Sequence, residues 1–587
     1  MSDDNITNLP SQQDIEKDIS NYLSKKYGDR VKIVGFHAQP DLEIDSGMPT
    51  EQPSKKKPPY IDFNIKPQEL CDYLDEYVIR QDEAKAILST KICTHFNRIR
   101  TSIDNPLQAK RTVGQIKNNV LLIGPTGVGK TFLIKLIAKR LGVPFIKGDA
   151  TKFSETGYVG GDVEDLVRDI VREAGDDIES AQYGIIYIDE IDKIAAAPNL
   201  IGADVSRSGV QRALLKPMEE TEVDLKVPHD PISQIEAIEQ YRATGKRQRK
   251  VINTKNILFI MSGAFTELDD IIKKRVQKQS IGFEGDITSK KQSSTRFLKH
   301  VKAEDLINYG FESEFIGRLP VIACLDELSI DDLNAILLNP NNSVVVGKKL
   351  DFLAYDINIQ FSDEALMAIA KKAFLERTGA RGLVSVMEKT LLPFEKQLPS
   401  TDIRFLSVTE ELVNNPKLEL KRLLSNPDHL ASHEDQYHRL YQEERERLTK
   451  LILQKKGKLL EEHGVLPTPS RLHLMAKHCQ GQVLDIRDVC EIFIDYVRHI
   501  KDCEKNISAK CGIHVTFSEE AIDRILEQHP LSQEIIKSLC ETLATAFEYG
   551  LGLLQQKKGV DHVVIPASGI DKPEQYINDL VREFFKT

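Results

Sequence analysis

The chain holds 587 residues, of which 41% are hydrophobic and 29% charged, the composition of a soluble globular protein of about three or four domains. A formal net charge of −10 argues against general binding to nucleic acid or to an anionic membrane surface. No apolar run approaches the roughly 18 residues of a membrane helix, and the acidic start from Met1 to Asn5 has no apolar signal core, so a cytoplasmic location is expected.

Residues 1–60 read as a small appendage. Helical periodicity runs from Asp14 to Lys26, a strand follows at Arg30 to Gly35, and Pro49 to Pro59 is a polar, proline-rich linker. Residues 65–105 read as helical. Within them stands the extended trio Tyr77, Val78 and Ile79, which is either core or a surface for an adenine ring, and spacing alone favours core.

Val120 to Ile123 then reads as a short buried strand. Gly124, Pro125, Thr126, Gly127, Val128, Gly129, Lys130 and Thr131 follow as Gly-x-x-x-x-Gly-Lys-Thr, and Phe132 opens an apolar helical pattern. Strand, glycine-rich loop and helix form the context of a phosphate-binding loop. The glycines let backbone N–H groups turn inward, and the helix N-terminus adds partial positive charge. Lys130 is expected at the β- and γ-phosphates and Thr131 on Mg²⁺.

A second strand is expected at Val143 to Ile146. Tyr158 and Val159 stand between Gly157 and Gly160, either as an exposed pair or as an ordinary turn with Tyr158 folded inward. Tyr183 to Glu190 is an apolar strand ending in two carboxylates. Asp189 is expected to order the Mg²⁺ shell and Glu190 to polarise the attacking water. Asn256 to Ser262 reads as another parallel strand, with Ser262 placed to touch that water or the γ-phosphate. Between these strands an insertion, about Thr221 to Lys255, ends in the basic run Lys246 to Lys250, read as a solvated loop. Arg318 and Arg381 are candidates for γ-phosphate contacts. Among the polar residues from Lys273 to Lys302, Ile281, Gly282 and Phe283 stand alone, as a docking anchor or tucked onto their own domain. The eight cysteines include no Cys-x-x-Cys pair, so reduced, mostly buried thiols are expected.

Taken together and in this order, Asp75–Lys85, Gly124–Thr131, Gly157–Gly160, Tyr187–Lys193, Gly209–Leu215, Gly263–Phe265, Glu314–Pro320 and Thr378–Leu383 resemble the Clp/HslU branch of AAA+ ATPases, and most closely its ClpX-like protein unfoldases, over residues 65–400. The resemblance implies an α/β fold. An AAA+ large domain with a parallel sheet (61–322) is followed by an α-rich small or lid domain (323–428). A charged helical linker (429–465) and an α+β extension (466–587) complete the chain.

The resemblance also implies roles. Tyr77, Val78 and Ile79 become the adenine contact, Tyr158 and Val159 the pore loop that grips polypeptide, and Ser262 the first sensor. Arg318 becomes an arginine finger given to a neighbouring subunit and Arg381 the second sensor. It implies an ATPase that uses ATP and Mg²⁺ and works as a homo-hexamer on unfolded or tagged proteins. Ile281, Gly282 and Phe283 would dock it on a ClpP-type peptidase. The alternative is a remodelling chaperone that acts without a peptidase.

The sequence also departs from the family pattern. Residues 1–70 hold no cysteine, so the family's four-cysteine zinc domain is not expected there. Arg80 stands where the family has glycine and is expected to crowd the nucleotide pocket. The basic lip at Lys246 to Lys250 replaces a pore-entrance loop. Finally, Ile357 to Ile369 is echoed by Ile513 to Ile525, which points to a second lid-like fold without a phosphate-binding loop of its own.

Overall fold

The computed structural model describes residues 64–105, 116–153, 161–196, 205–225, 250–280, 295–341, 343–481, 484–528, 533–555 and 561–586. The appendage, the Tyr158–Val159 pair, the basic run up to Arg249 and the Ile281–Phe283 triplet lie outside the described residues.

Two helices, α1 (Pro67–Tyr77) and α2 (Asp82–Asp104), precede a five-stranded sheet. Its strands are β1 (Val120–Ile123), β2 (Phe145–Asp149), β3 (Ile185–Asp189), β6 (Leu258–Gly263) and β7 (Val321–Cys324), in the order β2-β3-β6-β1-β7, and every pairing is parallel. Helices cover both faces, which is why β1 reads as an unbroken apolar run rather than an alternating one. Val120 and Leu122 enter the core shared with α1, α2 and α3 (Lys130–Leu141), whereas Leu121 and Ile123 enter the core under α4 (Val163–Glu173) and α5 (Val205–Met218). The expected insertion begins and ends as a small antiparallel hairpin, β4 (Glu222–Asp224) with β5 (Val251–Asn253). Helix α6 (Leu268–Ser280) follows β6.

The small domain continues the first of these cores. It comprises α7 (Ile330–Leu338), α8 (Ser343–Leu353), β8 (Asn358–Phe361), α9 (Asp363–Leu375), α10 (Ala380–Gln397), β9 (Phe405–Val408) and α11 (Pro416–Ser425), with β8 parallel to β9. The charged stretch expected as a linker is one helix, α12 (Pro427–Glu462), of 36 residues. It starts at Pro427 because Asn426 Oδ1 accepts from the amides of Asp428 and His429 and proline suits the first helical position. Its first half packs on the small domain, where Tyr437 meets Phe405 and Lys349 pairs with Glu444 at 2.6 Å. Its second half sends Leu448, Ile452 and Leu460 into a separate core.

That separate core belongs to α13 (Pro469–Gly481), α14 (Ile486–Cys511), β10 (His514–Phe517), α15 (Glu519–Gln528), α16 (Gln533–Gln555), β11 (His562–Ile565) and α17 (Pro573–Lys586), with β10 parallel to β11. The order of elements repeats that of the small domain. The repeat extends to single bonds. Ser362 N donates to Val408 O at 3.0 Å and Ser518 N to Ile565 O at 2.9 Å. Each serine Oγ then caps the following helix, accepting from Ala365 N at 3.2 Å and from Ala521 N at 3.1 Å.

A buried guanidinium ties the last core together. Arg471 is fully buried, donates to Asp523 Oδ1 and Glu519 Oε2 at 2.7 and 2.9 Å, and reaches Leu466 O at 2.9 Å. Removing one partner leaves a buried charge uncompensated. Arg471→Ala is therefore expected to destabilise the 448–586 unit by about 3–5 kcal/mol. Denaturant unfolding should show one transition moving to lower denaturant while the transition of residues 64–425 stays in place.

Candidate active site

The carboxyl ends of β1, β3 and β6 open on one side of the sheet, and a cleft of about 850 Å³ lies there between the large and small domains. Its size suits a nucleotide-sized ligand. It is lined by Pro125, Thr126, Gly127, Val128, Gly129, Lys130, Thr131 and Phe132 from the loop and α3, by Asp189 and Glu190 after β3, and by Arg381 at the start of α10. Tyr77, Val78 and Ile79 form a further wall. Of this trio Val78 is a core residue, Tyr77 and Ile79 are half-buried, and all three line the cleft. Gly124 sits just beneath the loop, where a Cβ would fall 2.9 Å from Leu325 O.

Two glycines seat the loop against the small domain. Gly127 has φ +75°, and a Cβ on it would fall 2.0 Å from Thr378 O. A Cβ on Gly379 would fall 2.8 Å from Gly127 O. This close approach allows Ala380 N to donate to Gly127 O at 2.9 Å, which brings Arg381 to the cleft. Arg80, expected to crowd the pocket, does not line it. It adopts φ +60° and turns its guanidinium to Asp332 at 2.6 Å.

Lys130 is nearly buried, and its ammonium donates to Gly124 O and Pro125 O at 2.6 and 2.8 Å. Burial pushes its pKa down to about 8, against the pull of Asp189 and Asp192 and with the help of Arg381. Behind it runs a chain of hydroxyls. Thr131 Oγ1 donates to Tyr187 Oη at 3.1 Å, Tyr187 meets Ser262 Oγ at 2.6 Å, and Ser262 donates to Asp189 Oδ1 at 2.6 Å. Burial pushes Tyr187 up to about 12, so it remains a donor. For Asp189, burial works toward the neutral acid, but Lys147 at 2.8 Å and Ser262 outweigh it and hold the carboxyl below its ordinary range. Glu190 follows with φ +58°, a left-handed conformation, and lines the cleft.

Ser262, which the sequence places at the attacking water, does not line the cleft. Its side chain is wholly buried behind Asp189 and fixes that carboxylate. Lys147, Tyr187 and Asp192 also belong to the surroundings of Asp189 and Lys130. Lys147 lies in mid-strand of β2, where nothing in spacing marks it, whereas Tyr187 stood two residues before the acidic pair.

Arg318 lies elsewhere. It precedes β7, its carbonyl accepts from Asn119 Nδ2 at 3.1 Å just before β1, and its guanidinium pairs with Glu219. It therefore sits at the amino edge of the parallel sheet, and the cleft opens at the carboxyl edge. The four-residue β1, about 10 Å of strand, separates the two, and Arg318 does not line the cleft of its own chain.

Among the described residues no helix is long and apolar enough to cross a membrane. The cysteines are free thiols, five of them buried: Cys93, Cys479, Cys490, Cys503 and Cys511.

The lowered pKa of Lys130 has a measurable consequence. A polyphosphate in the cleft favours the charged ammonium and raises its pKa back toward the ordinary 10.5. Binding then takes up a proton above about pH 8, and affinity falls as pH rises from there, by at most about tenfold per unit. Calorimetry in two buffers of different ionisation heat should show about half a proton taken up at pH 8. A buffer-independent heat with flat affinity from pH 7.5 to 9.5 would contradict this.

Residues 115–322 match the family described as AAA domain (Cdc48 subfamily), and residues 344–396 match the C-terminal, D2-small domain of ClpB protein. The ATP-dependent Clp protease ATP-binding subunit ClpX of Treponema denticola is 39% identical over 362 residues, 60% of this chain and 83% of its own length. The proteins of the same name from Borrelia duttonii and Borrelia recurrentis are each 40% identical over 364 residues, 60% of this chain and 79% of theirs. A parallel sheet carrying a phosphate-binding loop, a small helical domain seated on that loop and these relatives agree: the chain belongs to the ClpX-like family of AAA+ proteins and is an ATPase.

Proposed function

We propose that this protein is an ATP-driven unfoldase that works as a homo-hexameric ring and passes unfolded or tagged proteins to a ClpP-type peptidase. The observation that carries the reading is the placement of Arg318. The cleft gathers Lys130, Thr131, Asp189, Glu190 and Arg381, while Arg318 sits at the opposite edge of the sheet and does not line the cleft of its own chain, which supports its being given to a neighbour's cleft. A ring of identical contacts places that edge against the next cleft. The relatives' name, ATP-binding subunit of a Clp protease, supports the peptidase partner.

In this reading the loop amides and Lys130 hold the phosphates of ATP. Thr131 and Asp189 would hold Mg²⁺, since a hydroxyl and a carboxylate kept ionised are the oxygen donors a hard dication takes. When bound, the ion neutralises charge that develops on the phosphate oxygens. Glu190, facing the cleft, takes the proton of the attacking water. Ser262 and Tyr187 are positioning residues that fix Asp189. Arg381 reaches the phosphates from the small domain, so hydrolysis is felt there as a lost contact. Tyr158 and Val159 grip the polypeptide, and Ile281, Gly282 and Phe283 dock the peptidase. The unit from 466 to 587 is a second, nucleotide-free copy of the small domain.

Two experiments test the reading. Glu190→Gln should bind ATP without turnover, and Arg318→Ala should also bind without turnover. Mixed at equal amounts, the two should recover about a quarter of wild-type ATPase, because that share of interfaces pairs an intact Glu190 with an intact Arg318. No recovery in mixed rings of demonstrated composition would place Arg318 outside the reaction. Separately, Phe283→Ala should keep ATPase and unfolding of a tagged protein and lose most degradation by the peptidase. Unchanged degradation, or no affinity of the wild type for that peptidase, would favour a chaperone acting alone.

A further inference from the structure

The C-terminal unit touches the helix that carries the Tyr77–Ile79 wall of the cleft. The Tyr77 hydroxyl donates to Asp485 Oδ2 at 2.7 Å, across 408 residues of sequence. The preceding residue, Glu76, pairs with Lys456 of α12 at 2.6 Å, the two side chains being only 17% and 10% exposed. The Arg487 guanidinium lies 5.2 Å from the centre of the Tyr73 ring, which in turn lies 5.0 Å from that of Tyr77. On the other flank, Asn339 and Asn341 of the small domain donate to Glu76 O at 2.9 and 3.4 Å.

Tyr77 therefore has two surroundings. It lines the cleft, and its hydroxyl is held by the extension. Asp485 is itself fixed, since its other oxygen accepts from Arg487 N at 2.8 Å and caps α14. A tyrosine anchored at its tip keeps one rotamer, so a flat ligand ring that packs on it meets a wall already in place. An unanchored ring gives up rotamer freedom each time a ligand binds.

We propose that Asp485 is a positioning residue of the nucleotide site: by holding the Tyr77 hydroxyl, the C-terminal unit sets the wall on which the base of the nucleotide packs. The proposal rests on the ATPase reading and extends it to residues far outside the AAA+ core. It makes the extension a determinant of nucleotide affinity. By linkage, nucleotide binding in turn strengthens the grip of the extension on α1.

The test uses the full chain and four variants: Tyr77→Phe, Asp485→Ala, Asp485→Asn and the Tyr77→Phe/Asp485→Ala double variant. Tyr77→Phe leaves the cap of α14 intact and guards against a variant that merely unfolds. Loss of the single bond should raise the KM for ATP about three- to tenfold in Tyr77→Phe and in Asp485→Ala, with kcat within about twofold of wild type. The double variant should be no worse than either single one, because both remove the same bond. Asp485→Asn, whose oxygen can keep the cap on Arg487 N while its amide N–H donates to the Tyr77 hydroxyl oxygen, should stay near wild type. Inorganic triphosphate carries no base and should bind all five proteins equally. Arg524→Ala, in an exposed ion pair of α15, should change nothing. An unchanged KM in Tyr77→Phe, losses that simply add, or equal weakening toward inorganic triphosphate would overturn the proposal. A wild type that binds no ATP would instead overturn the ATPase reading on which it stands.

Discussion

The site depends first on the polarity of its sheet. All five strands run the same way, so the loop after β1, the acids after β3 and the serine at the end of β6 must gather at one edge. By the same rule, anything just before a strand is carried to the other edge. Arg318, placed before β7, is removed from the cleft of its own chain by topology rather than by a choice of rotamer. A site so divided can be completed across a subunit boundary in a ring.

A second constraint is the seam between the large and small domains. Gly127 and Gly379 approach so closely that neither tolerates a side chain, and the bond between Ala380 N and Gly127 O closes the seam. The phosphate loop and the helix that carries Arg381 thus meet through backbone. Any shift of the small domain moves Arg381 relative to the loop, which gives a nucleotide a direct way to bias the angle between domains. The long helix α12 extends the same mechanical chain. One half belongs to the core of the small domain and the other to a second core built on the same order of elements. The second core then returns to α1 through Glu76 and Tyr77, so that it holds one wall of the cleft from behind.

Much of this was legible in sequence because the chemistry requires particular residues at fixed spacing. The glycines and Lys130 of the loop, the paired acids after an apolar strand and the repeated Phe-Ser-x-Glu-Ala segment each carry their physical reason locally. What could not be read depends on tertiary placement. Ser262 was legible as the end of a strand, but only packing shows it buried behind Asp189 rather than facing the cleft. Arg80 suggested a crowded pocket, but its left-handed backbone turns the guanidinium toward Asp332. Lys147 is one lysine in a strand until register sets it beside Asp189. Asp485 lies 408 residues from the tyrosine it holds, a distance no periodicity spans.

The claim that the site is shared between subunits is tested most directly by the specific ATPase activity of the wild type across a dilution series, with the assembly measured by sedimentation at each concentration. Turnover per subunit should rise and fall with the fraction of chain in rings and vanish for the monomer, although the monomer still binds nucleotide. Full turnover per subunit at concentrations where the chain is monomeric would contradict it.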